Sequence, residues 1–165
     1  MRVAGVVIAC ELAATSIGCN GPGSSQSAPA AEAHPRYGLI MSEVGQRFER
    51  AGRAASAGRF DLAAYEVSEL NELFSDDLPR AEPPKDGASA SLPAMSDAFT
   101  RTALAPLKAA AGAHDLAAFR SAFKDAATSC NSCHQISLHP FIEVPAELDK
   151  PVPNLDPVKP AGSTP

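Results

Sequence analysis

The sequence predicts an all-α protein, an antiparallel four-helix bundle. Apolar residues recur at steps of three and four along four separate stretches, the period of a helix face. Much of the 45% hydrophobic fraction is alanine, the best helix former, and there is no Trp. Two short connections and one long crossover join the four stretches, as in a bundle. The 165 residues allow one ordinary domain with tails. A net charge of -5 argues against nucleic-acid binding.

Residues 1–18 read as an export signal: Arg2, a short apolar run, then small residues. The run is too short to span a bilayer and Glu11 interrupts it. Ile17-Gly18-Cys19 resembles the end of a bacterial lipobox, with Ser16 where Leu is usual; this implies lipidation at Cys19. Residues 19–35 are rich in Gly, Ser, Pro and Ala, a flexible tether. The bundle domain is assigned to residues 36–140.

The first helix starts at Tyr37. Ile40, Val44, Phe48, Ala51 and Ala55 form its stripe, Met41 borders it, and Gly58 ends it. The second follows at once, with Phe60, Ala63, Val67, Leu70 and Phe74, and Asp76-Asp77-Leu78-Pro79 as its stop. Residues 79–91 are a polar crossover. Ser91 is the expected N-cap of the third helix and Pro93 fits its first turn. Leu92, Met95, Phe99, Ala103, Pro106 and Ala110 form the third stripe, which Pro106 should kink. Asp115 caps the fourth helix, whose stripe is Leu116, Phe119, Phe123, Ala126, Cys130 and Cys133. Seven of the fifteen prolines fall in residues 140–165, so residues 141–165 should be an extended tail. Phe141, Ile142 and Val144 are apolar enough to pack on the domain, and the last ten or so residues should be loose.

The chemistry-bearing motif is Cys130-Asn131-Ser132-Cys133-His134. A redox disulfide would normally open a helix beside a βαβ pattern, whereas this pair closes a helix in an all-α chain. A structural zinc ion takes four ligands, and Cys130, Cys133 and His134 supply three; His114 or His139 would have to add the fourth. The third reading is one covalent haem c. The two thiols would add to the vinyl groups as thioethers, and His134 would be the proximal ligand of the iron. One helical turn separates the sulfurs, and export supplies the compartment where haem is attached. This reading is preferred.

A helical bundle with this motif at the end of its last helix resembles the class II c-type cytochromes, the cytochrome c′ and cytochrome c-556 proteins. The resemblance spans residues 37–140. "LIMSEVGQRF" in the first helix resembles the c-556 segment that carries a second, methionine axial ligand, which implies Met41 as distal ligand of the haem iron. Met95 is the alternative. His34, His114 and His139 read as exposed or turn residues.

If Met41 binds, the iron has no open position and the protein carries single electrons. If nothing binds, a five-coordinate haem could take up NO or CO, as in c′-type proteins. Arg47, on a basic strip with Arg50 and Arg53, is a candidate contact for a haem propionate. Glu66, Glu69, Glu72, Asp76 and Asp77 form an acidic cluster that could pair with those arginines or attract a basic partner. No nucleophile–base arrangement suggests an enzyme. The expected partners are periplasmic or membrane redox proteins, the cytochrome c maturation machinery and, through the lipid anchor, a membrane. A homodimer is compatible with the alanine-rich helix faces. The expected location is the periplasm of a Gram-negative bacterium.

Overall fold

A computed structural model describes residues 36–83 and 91–154. The export signal, Cys19, the tether, His34, most of the crossover and the last residues of the tail lie outside the described residues. Helix α1 spans Tyr37–Ser56. Gly58 ends it in the left-handed region, at φ 72°. The Gly58 and Arg59 amides return to the Ala55 and Ala54 carbonyls at 3.0 and 2.8 Å, closing a Schellman motif. Helix α2, Phe60–Glu72, continues through a π turn at Leu73–Asp77 and a 3-10 turn at Leu78–Arg80. The helical run therefore passes through Pro79 before stopping. Pro79 sits in a first turn, where no N–H partner is required.

Helix α3 spans Leu92–Phe99, and Ser91 Oγ accepts the Ala94 amide at 3.5 Å, as its N-cap role predicts. A π turn at Thr100–Leu104 joins it to α4, Ala105–Gly112. The irregularity expected at Pro106 takes this form. A proline has no amide to donate and its ring crowds the carbonyl four residues back, so the turn before it widens. The wide turn holds an extra residue and shifts the buried face. Pro106 is exposed, and Leu104, Leu107, Ala110 and Ala111 face the core. Helix α5, Leu116–Ile136, is capped by Asp115, whose Oδ1 accepts the Ala117 and Ala118 amides at 2.9 and 3.0 Å.

The described chain is all-helical, with no strand among the described residues, and is compatible with a helical bundle. None of its described helices is long and apolar enough to cross a membrane. The core combines two stacked aromatic pairs with leucines, valines and many alanines. Phe48 of α1 stacks on Phe123 of α5 with ring centres 4.0 Å apart, and Phe74 stacks on Phe99 at 4.4 Å. The acidic residues of α2 meet the basic strip of α1. Glu66, which is buried, binds Arg47 at 3.0 Å and Arg50 at 3.3 Å, and Glu69 reaches Arg47 at 3.4 Å.

The segment after α5 is a strap rather than a free coil. Val144 and Leu148 are buried in the core. The Val152 amide donates to Glu49 Oε2 on α1 at 3.1 Å. Phe141, expected to pack, is instead 77% exposed, with the His139 ring 5.7 Å away. The burial falls on Leu148 because the chain turns outward at Phe141 and comes back over Gly52. A Cβ at Gly52 would stand 2.7 Å from the Leu148 carbonyl oxygen, so α1 admits the strap only where it lacks a side chain.

Candidate functional site

The last two turns of α5 carry Cys130, Cys133 and His134, and all three line one cavity of about 860 Å³. Its other walls come from Tyr37, Met41 and Phe48 of α1, Phe74 and Leu78 after α2, Met95 and Phe99 of α3, and Ile142 and Val152 of the strap. The walls are chiefly apolar, and the size falls within the range of about 300–1,000 Å³ typical of small-molecule sites. Among the described residues, no Lys, Arg, Asp or Glu lines it.

Both cysteines are free thiols. Burial pushes the Cys130 thiol up to about 12, with the neighbouring Cys133 adding to the rise. Burial also raises Cys133, partly offset by its hydrogen bond with Ser137. Both groups are therefore held as S–H at neutral pH. Tyr37, on the facing wall, is raised by burial and then by Cys133.

His134 is shaped by the strap. Burial lowers its pKa, and His139 adds to that against the opposing effect of its bond to Ile142. The ring is therefore neutral at pH 7. Its Nδ1 lies 2.7 Å from the Ile142 carbonyl oxygen. A carbonyl only accepts, so Nδ1 carries the hydrogen and Nε2 keeps a lone pair for a metal. Asn131, between the two cysteines, grips the same strap: its amide nitrogen donates to the Val144 carbonyl and its Oδ1 accepts the Val144 amide, both at 2.8 Å.

Met41 and Met95 are both half-buried and both line the cavity. Ser96 lines it too. It is 1% exposed and its hydroxyl has no hydrogen-bond partner. A buried, unpaired hydroxyl is costly, and here it faces space that a ligand could fill. Ser96 follows Met95, outside the apolar stripe, so the sequence offered only its phase on the helix as a signal. His139, read as exposed, is half-buried, lines the cavity and is held by the Ser137 carbonyl at 2.5 Å. His114 is a turn residue at φ 54°, stacked on Phe60 away from this site.

Arg47 is absent from the cavity wall. Burial tends to lower its pKa, but hydrogen bonds to Glu66 and Glu43 outweigh that and raise it. The guanidinium is bound to Glu43 at 2.7 Å and to Glu66 and Glu69, with the Tyr65 ring 5.9 Å away. Among the described residues, no group of three or more His, Cys, Asp or Glu side chains converges as the ligands of a metal ion, as a structural zinc site would require. No family model, curated protein or solved structure matches the chain.

Proposed function

We propose that this protein is an exported monohaem c-type cytochrome of the class II kind, an antiparallel four-helix bundle that carries single electrons in the periplasm. One observation carries the reading: Cys130, Cys133, His134 and Met41 all line a single apolar cavity of about 860 Å³. The three-residue connections at 57–59 and 113–115 support the antiparallel arrangement. The N-terminal pattern supports export and a lipid anchor at Cys19.

The residues present fit the group. Two thiols one helical turn apart match two vinyl attachment points, and a neutral imidazole beside them offers Nε2. The orphan hydroxyl of Ser96 gives a bound ligand a buried polar contact in a chiefly apolar wall. When bound, haem would supply one-electron chemistry at its iron.

The chain would do the rest. Cys130 and Cys133 would hold the group through thioethers, each thiol adding S–H across a vinyl double bond with the hydrogen going to carbon, so that attachment would consume no oxidant. The Ile142 carbonyl fixes the His134 tautomer and makes its Nε2 a better donor. Met41 offers a thioether, which favours the reduced state. Phe48, Phe74 and Phe99 help keep water out. With no cationic side chain in the described wall, propionate groups would rely on hydroxyls, amides and solvent.

The test is the absorption spectrum of the ferric and ferrous protein, made with the haem-attachment machinery, beside Met41→Ala and Met95→Ala. A low-spin ferric spectrum with a weak long-wavelength sulfur–iron band, lost in Met41→Ala and kept in Met95→Ala, is expected. A high-spin spectrum unchanged by either substitution would replace electron transfer with binding of NO or CO. A colourless protein would sink the haem reading.

A further inference from the structure

Asn131 occupies a position that the haem-attachment motif leaves open to any residue, yet its side chain is fully engaged. An amide side chain presents one donor and one acceptor side by side, as a neighbouring strand's backbone would. Val144 meets both, at 2.8 Å each. Two residues earlier on the same strap, the Ile142 carbonyl takes the Nδ1 hydrogen of His134 at 2.7 Å.

The two anchors match in spacing. Asn131 and His134 are three apart on α5, so they lie on one face, with about 5–6 Å between their Cβ atoms. Ile142 and Val144 are two apart on chain outside any helix or strand, where two residues span at most about 7 Å. The strap thus lies along α5 and is fixed at both points. Glu49 holds it separately, through Val152, on the far side.

We propose that Asn131 is a positioning residue: by clamping the strap at Val144 it holds the Ile142 carbonyl against His134 and so sets the tautomer and orientation of that ring. The inference rests on the haem reading for its functional consequence, but the clamp itself involves only this chain. Freed of the clamp, Ile142 would no longer hold the Nδ1 hydrogen, and Nε2 would become a weaker donor to iron.

The experiment uses full-length protein from a host competent for haem attachment, in wild-type, Asn131→Ala, Asn131→Asp and Glu49→Ala forms. Solvent exchange of the His134 Nδ1 hydrogen is followed by NMR in the reduced protein, with carbon monoxide added if the iron is high-spin. Wild type should protect this hydrogen at least tenfold over that of exposed His114. Asn131→Ala should abolish the protection and raise the reduction potential while keeping the haem. Asn131→Asp, which keeps the acceptor and loses the donor, should fall between. Glu49→Ala loosens the strap at its other anchor and should lower the melting temperature without changing the ring. Protection and potential unchanged in Asn131→Ala would overturn the proposal. So would a wild-type hydrogen that exchanges as fast as that of His114. A colourless wild type with a protected His134 hydrogen would sink the haem reading and leave the clamp standing.

Discussion

Leu138 follows α5 with φ at 61°, in the left-handed region that favours glycine. The position is forced by the helix ending. The Leu138 and His139 amides return to the Gln135 and His134 carbonyls at 3.2 and 2.7 Å, the same closure that Gly58 gives α1. Leu138 is 61% exposed, so its side chain gains little packing in return. A left-handed leucine costs about 1–2 kcal/mol. Leu138→Gly should therefore raise stability by about 1 kcal/mol, read as a higher denaturation midpoint with an unchanged slope. The sequence showed Gly58 as a stop because glycine marks such sites; His114 and Leu138 adopt the same conformation without that mark. Asn131 was hidden for a different reason: its partner is the backbone of Val144, and backbone leaves no trace in a residue pattern.

Between elements, the strap approaches α1 closely at Gly52. A methyl at Gly52 would collide with the Leu148 carbonyl at 2.7 Å and the Phe123 ring at 2.9 Å. Backbone and a buried ring cannot yield as the tip of a flexible side chain does. Gly52→Ala should cost about 1–3 kcal/mol in chemical denaturation. Gly38→Ala, on the same helix with nothing within 4 Å of the added carbon, should cost nothing and serves as control. The helices themselves were legible, since the apolar stripes of α1, α2 and α5 predict most of the buried residues. The stripe through α3 and α4 was right as far as Ala103. Past the π turn it slipped by one residue, from Pro106 to Leu107, because a helix of constant pitch cannot represent a wide turn. In the strap, Leu148 stands among polar residues and Phe141 beside apolar ones, so local hydrophobicity pointed to the wrong side chain.

The whole molecule has a thin core. Among the described residues, nearly half of the buried hydrophobic ones are alanine, each burying little area, and Phe48, Phe74, Leu78 and Leu92 border a cavity of about 860 Å³. Native interiors are close-packed, so a space of that size calls for an occupant. On the haem reading, the haem-free chain should therefore be poorly folded. Circular dichroism melts of haem-bound and haem-free protein, matched in buffer and concentration, should differ by well over ten degrees; equal melting temperatures would refute the expectation. The motif and the first-helix methionine could be read from the sequence because they are local. The cavity that brings them together depends on four separated segments, and only the fold puts those segments side by side.

The place of the strap in the chain bears on the order of events. It lies downstream of Cys130 and Cys133, so a chain delivered N-terminus first exposes both thiols while Ile142, Val144 and Leu148 have yet to arrive. During that interval Asn131 has nothing to grip and the strap side of the cavity stands open. On the haem reading, attachment before the strap seats is an order that the chain's own sequence permits, because both thiols precede the segment that covers them.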